Sequence, residues 1–361
     1  MSQNLLEKIT IVIFTYNRHE LLKQTVKYWL NYNVKLLILD GSESEFIDTC
    51  LNSKNIKYIN NQKGFYNRLL SSADYIDTEF MILSSDDEFY LPSALISCIE
   101  FLSKDLSFSS CGGRTAGFYS DNDKIFGVEE YTNLRNFCLN HENPKERIEY
   151  HFKNYAPAHI YSVLRSNKWN KICKYVFEKE FSFYASFELQ IEFLVMVSGK
   201  SKIIPNLMWM RKVELSPNRN TRPSDSWSLP ISKWWYDKEF KKEKELFFHT
   251  MRKACEEVTS DPNLKLNEDT IHKLFETYVN KFPKLGKIKK TFKKIIDLIP
   301  LKMKKCLKII LFFKSNETIQ YKNLLDITSK LELEGVSINH LEFNKVISIL
   351  QNLNKENKKK F

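Results

Sequence analysis

The sequence predicts an α/β protein, with a mostly parallel sheet flanked by helices in the first part of the chain and a helical region at its end. Two observations support this fold class. Short runs of apolar, often β-branched residues alternate with helix-like stretches from residue 9 to about 113, which is the pattern of strand–helix–strand units. Polar residues follow several of these runs directly, and in a parallel sheet such residues meet at one edge.

The first predicted strand, ITIVIF at residues 9–14, is a continuous apolar run, as expected for a strand that is buried on both faces. The other elements predicted in this part are helices over 19–29, 65–75 and 92–103 and strands over 34–40, 56–59, 79–85 and 107–113. Pro92 lies near the first turn of its helix, where its missing N–H is not needed. Strands separated by helices at this spacing favour parallel pairing.

The rest of the chain divides into a mixed part and a helical part. The elements predicted in the mixed part are a strand over 159–165, a helix over 185–200 and a strand over 202–212 that is broken by Pro205. Residues 216–230 are rich in turn formers, so this segment is predicted to be a boundary or a flap. The predicted division of the chain is 1–113, 114–230 and 231–361, the last part being almost wholly helical.

The composition is that of an ordinary soluble globular protein. The chain has 361 residues, enough for two domains, of which 43% are hydrophobic and 27% are charged. The seven cysteines include no CxxC pair, which favours free thiols in a reducing compartment over a disulfide framework or a cysteine-based zinc site. We find no signal-peptide pattern at the start and no apolar run long enough to span a bilayer. A cytoplasmic location is therefore expected.

The net charge of +11 belongs to one segment, residues 281–314, which holds twelve lysines and a single acid, Asp297. Apolar residues such as Leu285, Ile288 and Phe292 recur there at spacings of three and four, with lysines on the other face. Basic amphipathic helices of this kind bind anionic membrane surfaces. A packed helical domain with a solvated lysine face is the alternative. Nucleic acid is not expected as a partner, because the segment lacks arginine and known nucleic-acid-binding motifs.

Three acids stand side by side in MILSSDDEFY, residues 81–90, at the end of a predicted strand. Carboxylates at Asp86, Asp87 and Glu88 would repel one another, and burying them unpaired would be costly. They therefore form either a solvated turn or a site for Mg²⁺ or Mn²⁺, which bind carboxylate oxygens together with substrate phosphates. Because residues i and i+2 of an extended turn face the same side, Asp86 and Glu88 could bind one ion.

Six stretches of the chain are IVIFTYNRHELL, LILDGS, KGFYNRLLSSADYIDTEFMILSSDDEF, GGR, APAHIYSVLR and FELQIEFLVMVSGK. Together they resemble family 2-type glycosyltransferases, the first three their nucleotide-binding half, and especially a bacterial subgroup with TYNR, Asp-Gly-Ser and DDDF motifs. The resemblance covers about residues 9–215. It implies a GT-A fold, which is Rossmann-like. Residues 1–113 would be the half that binds a nucleotide sugar, and 114–230 the half that binds the acceptor.

The resemblance also implies a donor site at the ends of the strands. The donor-binding residues would be Thr15, Tyr16, Asn17, Arg18, Asp40, Arg68, Asp86 and Asp87. Asp86 and Glu88 would hold the metal, Mg²⁺ or Mn²⁺; the subgroup has Asp in place of Glu88, whose longer side chain can change the coordination. Three residues have alternative explanations. Asn17 could cap the next helix, Asp40 could shape its turn, and Arg68 could be an ordinary surface arginine.

A transfer with inversion needs a general base that takes the proton of the acceptor hydroxyl. The resemblance assigns this role to Glu188, in a predicted apolar helix where burial would raise its pKa. The alternatives are a surface glutamate or one paired with a lysine, and Glu192, one turn further on, is a second candidate. The candidates on the acceptor side are His159, Arg211 and Glu214. His159 could instead be a core histidine.

Together these features predict a metal-dependent, inverting glycosyltransferase. It would move a sugar from a nucleoside-diphosphate donor, with a UDP-sugar favoured, to a hydroxyl of a bacterial surface glycan or lipid-linked acceptor. Peripheral attachment to the inner face of the cytoplasmic membrane through 281–314 would suit such an acceptor. Two alternatives stay open: a sugar nucleotidyltransferase of similar fold, and a non-catalytic carbohydrate- or membrane-binding protein. Trp227, Trp234 and Trp235 would stack on an acceptor sugar or join the helical region to the sheet.

Overall fold

A computed structural model of the chain describes residues 2–121, 124–157, 159–183, 185–213, 229–259, 261, 264–282 and 322–359. The strands are β1 (Ile9–Thr15), β2 (Lys35–Asp40), β3 (Ile56–Asn60), β4 (Phe80–Ser85), β5 (Phe89–Tyr90), β6 (Phe108–Asp121), β7 (Lys124–Glu130), β8 (Cys138–Leu139), β9 (Val163–Arg165), β10 (Lys200–Lys212) and β11 (Lys322–Asn323). The α-helices are α1 (His19–Trp29), α2 (Phe65–Ser71), α3 (Pro92–Lys104), α4 (Pro144–Lys153), α5 (Ser166–Val176), α6 (Ser186–Ser198), α7 (Ile231–Tyr236), α8 (Lys241–Val258), α9 (Glu268–Val279), α10 (Leu324–Leu333) and α11 (His340–Lys359).

The strands form one sheet in the order β3-β2-β1-β4-β9-β6-β7-β11, and β10 pairs with β5, β6 and β8. The first four strands are parallel, and β9 lies antiparallel between β4 and β6. The register pairs Thr15 of β1 with Asp40 of β2, and Phe14 of β1 with Ser85 of β4. The residues that follow these three strands therefore meet at one edge. The predicted α/β class, with a mostly parallel sheet and flanking helices, is confirmed.

Both faces of the sheet are covered, which explains why the first strands are continuous apolar runs. Ile11 of β1 contributes to one core layer, together with Val26 of α1 and Ile99 of α3. Val12, the next residue along β1, contributes to the opposite layer, together with Trp169 of α5. Successive residues of a strand point to opposite faces, so a strand covered on both sides needs apolar residues throughout.

Beyond the first four strands the sheet differs from the prediction. The strand predicted to end at Gly113 continues to Asp121 as β6 and turns back as β7, which was not predicted. β10 continues through Pro205, where the sequence predicts an interruption; its register with β6 shifts between Ile203 and Leu207, which accommodates a residue without an N–H. The strand predicted over 159–165 is reduced to β9, because the residues before it form a turn.

The predicted division into three parts stays a proposal. The limit at residue 113 falls inside β6, so the two predicted halves share a strand. Leu324 of α10 and Phe343 of α11 belong to the same core layer as α1 and α3. The described end of the chain therefore packs on the sheet of the first part.

The described residues beyond 230 are almost wholly helical, as predicted, apart from β11. Trp234 and Trp235 of α7 are buried, and their rings contact Phe247 and Phe248 of α8, respectively. Both tryptophans also belong to the core layer that contains Val12 of β1, which supports the interpretation that they join the helical region to the sheet.

Some predictions fall on residues outside the described ranges, namely Glu214, Trp227, residues 216–228 of the predicted boundary or flap, and residues 283–314 of the basic segment. Within the described ranges, no helix combines the length and the apolar character needed to cross a bilayer.

Gly113→Ala is expected to lower the free energy of unfolding by about 1–3 kcal/mol, because β6 and β10 approach closely there. A Cβ atom at Gly113 would lie 2.6 Å from the backbone oxygen of Asn206 and 2.5 Å from Met208 Cβ, so β10 would have to shift. Gly64→Ala is the matched control, since a Cβ atom at Gly64 would meet nothing within 4 Å. Urea unfolding measures both variants. Equal stability of the two would contradict the close approach.

Candidate active site

The loop between β1 and α1 carries the TYNR sequence. Tyr16 is exposed, and Asn17 adopts a left-handed conformation with φ of 53°, which asparagine tolerates better than most residues. The Asn17 N–H donates to Ser42 Oγ at 2.7 Å, which ties this loop to the one after β2. The N-cap residue of α1 is Arg18, without a side-chain cap. The alternative that Asn17 caps this helix is therefore wrong.

Asp40, the last residue of β2, is completely buried, and both of its carboxylate oxygens have partners. Oδ1 accepts hydrogen bonds from the Ser42 hydroxyl and, at 2.8 Å, from the Ser42 N–H. Oδ2 accepts from the Tyr58 hydroxyl at 2.8 Å and lies 3.0 Å from His19 Nε2. Asp40 therefore stabilises the turn after β2, which is the alternative explanation given for this residue in the sequence analysis. A direct contact between Asp40 and a donor stays a prediction.

Arg68 of α2 is buried, so the alternative of an ordinary surface arginine is wrong. Its guanidinium lies against Gly41 in the loop after β2, where an added Cβ atom would come within 2.1 Å of Nη1. Nη1 also donates to the backbone oxygen of Lys63 at 2.9 Å. Only a glycine leaves room for the guanidinium at residue 41. Arg68 thus lies at the same edge of the sheet as the TYNR loop.

The acids after β4 contact the TYNR loop directly. Asp86 Oδ2 accepts a hydrogen bond from the Thr15 hydroxyl at 2.5 Å, and Asp86 Oδ1 lies 3.2 Å from Arg18 Nη1. Asp87 pairs with the same guanidinium and accepts from Ser85 Oγ at 2.6 Å. The structure therefore brings together Thr15, Arg18 and the first two acids, as the sequence predicts.

Asp86 and Glu88, which are two residues apart, are both buried, with exposed fractions of 1% and 8%. The alternative of a solvated turn is therefore wrong for these two residues. Burial, reinforced by the charge of Asp87, raises the pKa of each carboxyl group to about 7. A divalent cation would stabilise the ionised forms, because it replaces the water that buried carboxylates lose. This donor set of carboxylate oxygens fits Mg²⁺ or Mn²⁺.

The two glutamates of α6 have different surroundings. Glu192 is completely buried; one oxygen accepts from two backbone N–H groups at 159–160, and the other lies 2.8 Å from His151 Nε2. Glu188 is only partly buried and accepts a hydrogen bond from the Tyr155 hydroxyl at 2.5 Å. Burial raises the pKa of Glu188 to about 7. Of the two candidates, Glu188 is therefore the one that is accessible and has the pKa of a useful base.

Arg211 of β10 forms an ion pair with Glu130, and its charge also acts on Glu88 and Glu188. Its guanidinium donates to the Tyr131 hydroxyl at 2.7 Å and is itself partly exposed. Burial raises the pKa of Glu88 and of Glu188, and the positive charge of Arg211 opposes this rise in both. The charge of one arginine therefore acts on carboxyl groups of both the predicted donor side and the predicted acceptor side.

Aromatic residues that the sequence analysis did not single out line this region. Trp209 stacks on Tyr161, with ring centroids 4.3 Å apart, and on Tyr131 at 6.0 Å. Tyr155, the partner of the candidate base, contacts Tyr278 of α9 at 4.6 Å. These ring contacts connect residues that are far apart in the sequence, so no local sequence pattern predicts them.

The remaining acceptor-side candidate in the described residues, His159, is completely buried. Its Nδ1 atom lies 3.3 Å from Ser201 Oγ, and burial lowers its pKa to about 4. The structure therefore agrees with the alternative of a core histidine.

The solved structures to which this chain is similar include three crystal structures of S. aureus TarS. The TarS chain is 11% identical, with 76% of this chain and 43% of that chain covered and a TM-score of 0.47. TarS 1–349 is 10% identical, with 98% and 92% covered and a TM-score of 0.48. TarS 1–349 in complex with UDP-GlcNAc is 9% identical, with the same coverage and a TM-score of 0.50. This chain thus spans less than half of the first of these structures. The last likeness concerns the fold alone, and no curated protein matches the sequence.

A family model described as glycosyl transferase family 2 matches residues 10–161. The matched part contains the TYNR loop, Asp40 and the acid cluster after β4, which are the groups that the structure brings to one edge of the sheet. The match favours glycosyl transfer over the nucleotidyltransferase and binding-protein alternatives. Over residues 10–161, which are less than half of the chain, the sequence is therefore similar to glycosyl transferase family 2, in agreement with the GT-A-like fold.

Proposed function

We propose that the protein transfers a sugar, with inversion and with a divalent metal ion, from a nucleoside-diphosphate donor to a hydroxyl of a bacterial surface glycan or lipid-linked acceptor. The observation that carries this proposal is that two buried carboxyl groups, Asp86 and Glu88, lie two residues apart at the edge of the sheet that bears the TYNR loop, with Asp86 in contact with Thr15 and Arg18. A UDP-sugar is the favoured donor, in line with the fold likeness to TarS 1–349 crystallised with UDP-GlcNAc.

On the donor side, Asp86 and Glu88 would hold Mg²⁺ or Mn²⁺, which would offset the charge of the leaving diphosphate when bound. Thr15 and Arg18 fix the Asp86 carboxylate through the contacts described above. Asp87, which pairs with Arg18, would keep this guanidinium at the phosphate end of the donor. These residues would orient the donor so that its anomeric carbon faces the acceptor side.

On the acceptor side, Glu188 would take the proton of the acceptor hydroxyl as its oxygen attacks the anomeric carbon. The bond between the anomeric carbon and the diphosphate breaks with its electron pair on the diphosphate, so one inversion occurs. The Tyr155 hydroxyl, which donates to Glu188 Oε1, would hold the carboxylate in place. A pKa near 7 lets the group be ionised before the reaction and still bind the proton during it.

The proposed lipid-linked acceptor agrees with the charge of the segment 281–314, whose lysines would bind an anionic membrane. Most of this segment lies outside the described residues, so its role is predicted from the sequence alone.

We expect one nucleoside diphosphate to raise the melting temperature in a screen of UDP, GDP, CDP and dTDP, each with and without Mn²⁺ or Mg²⁺. A ligand that binds only the folded state at about 100 times its Kd adds about 2.7 kcal/mol to the free energy of unfolding. We expect UDP to have this effect only when the metal is present. No shift with any nucleotide and metal would contradict the proposed donor site, and a shift with GDP alone would correct the choice of base.

A further inference from the structure

Three side chains of the kind that bind metals lie together in the core behind the candidate base. His151 of α4, His159 before β9 and Glu192 of α6 are all completely buried. Each offers one ligand atom, and these atoms lie within 4.8 Å of one another. The two imidazole rings are stacked, with centroids 4.6 Å apart. The proposed function uses none of the three, so the inference below does not depend on it.

Two ring nitrogens of this cluster lack hydrogen-bond partners within the described part of the chain, namely His159 Nε2 and His151 Nδ1. The other nitrogen of His159 lies 3.3 Å from Ser201 Oγ, which in turn lies 2.5 Å from Ser110 Oγ. When Ser201 donates to Ser110, it accepts from the Nδ1–H of His159. In this tautomer the lone pair of Nε2 accepts no hydrogen bond from the described residues. Buried polar atoms without partners are uncommon and call for an explanation, such as an ion that is bound there.

Among the described residues, the negative charge of Glu192 also has no permanently charged cation as a partner. In the described ranges, no lysine or arginine forms an ion pair with Glu192, whose only basic partner is His151. Both imidazole rings are completely buried, which favours their neutral forms. A buried carboxylate with only neutral partners is costly. A divalent cation would supply the missing charge and would use the neutral imidazoles as ligands.

We propose that His151, His159 and Glu192 bind one Zn²⁺ ion. Two imidazoles and a carboxylate are a ligand set that zinc accepts in proteins. The ion would take the place of the hydrogen between His151 Nε2 and Glu192 Oε2, which are 2.8 Å apart, and would bind the lone pair of His159 Nε2. Ser201 would orient the His159 ring from behind, as outer hydrogen-bond partners do in zinc sites.

A zinc ion here would cross-link α4, the turn before β9 and α6. Glu192 lies one helical turn beyond Glu188 on α6, and the ring of His151 lies 5.4 Å from that of Tyr155, which binds Glu188. The ion would therefore support the element that carries the candidate base.

The metal content of the protein, purified without a histidine tag and without chelators, tests this proposal. We expect mass spectrometry to find close to one zinc per chain in the wild type and in His249→Gln, an exposed histidine of α8. In His151→Gln and His159→Gln the zinc should be almost absent. Asp86→Asn should keep it, which separates this site from the donor site.

Wild-type protein with no detectable zinc, and with no rise in melting temperature when Zn²⁺ is added, would overturn the proposal and leave a protonated Glu192 in the core. Zinc that persists in both histidine variants, or disappears in Asp86→Asn, would also overturn it. Should the histidine variants not fold, an anomalous zinc map from wild-type crystals decides the matter: a peak between His159 Nε2 and Glu192 supports the site, and its absence excludes it.

Discussion

Glu188→Gln is expected to lower kcat for sugar transfer by about 10²–10⁴-fold, the range that is lost when a general base is removed. Glutamine has the same size and its amide oxygen can still accept the hydrogen bond from Tyr155, but it cannot take a proton at neutral pH. Donor binding should be unchanged, because Glu188 lies on α6 and not in the loops after β1, β2 and β4. Steady-state kinetics with saturating donor measure kcat, and the nucleotide thermal shift measures donor binding.

The pH dependence of kcat distinguishes a base from a carboxylate that only positions its neighbours. Burial raises the pKa of Glu188 to about 7, so the ionised, active fraction grows as the pH rises. For the wild type, kcat should therefore be half-maximal near pH 7 and level off about one pH unit above it, and the glutamine variant should lose this increase. Glu178→Gln, at an exposed position, is the matched control and should leave kcat unchanged. A wild-type kcat in Glu188→Gln would exclude this residue as the base.

The donor side of the site could be predicted because each of its motifs lies within one short stretch of the sequence. Each of β1, β2 and β4 is an apolar run that ends in polar residues, and a parallel sheet brings such ends together whatever the details of packing. The predicted helix over 19–29 is the observed α1. The sequence could not show that both carboxylate oxygens of Asp40 would have hydrogen-bond partners within the protein, because Tyr58 and His19 contact Asp40 from separate elements.

The acceptor side could not be predicted in the same way, because its contacts join distant residues. Tyr155 reaches Glu188 across 33 residues, and Arg211 reaches Tyr131 across 80. The helix α4 was missed because its buried face includes Arg147, whose guanidinium donates to backbone oxygens, so the apolar pattern is broken. The helix α5 was missed although the sequence contains the signal, since its buried residues at 169, 172, 173 and 176 have helical spacing.

Asp86→Asn is expected to abolish the metal-dependent stabilisation by nucleotide and to lower kcat/KM by about 10²–10³-fold, the loss seen when one group that stabilises transition-state charge is removed. The change removes a charge but no volume, and the amide oxygen can still accept from the Thr15 hydroxyl. A neutral amide is a poorer ligand than a carboxylate for Mg²⁺ or Mn²⁺. The thermal shift with UDP and Mn²⁺ measures binding directly, and kinetics at low donor concentration measure kcat/KM.

Stability without ligand separates a loss of binding from a loss of folding. Burial raises the pKa of Asp86 to about 7, so its contribution to stability is present at low pH and is lost as the pH rises through about 7. At pH 8 the asparagine variant should therefore melt no lower than the wild type, although it loses the ion pair with Arg18. Asp77→Asn, which breaks only an exposed pair with Lys35, is the control and should bind UDP normally. Stabilisation by UDP and Mn²⁺ that persists in Asp86→Asn would mean that Asp86 does not contact the donor–metal complex, and the burial of this carboxylate would then need a purely structural explanation through Thr15 and Arg18.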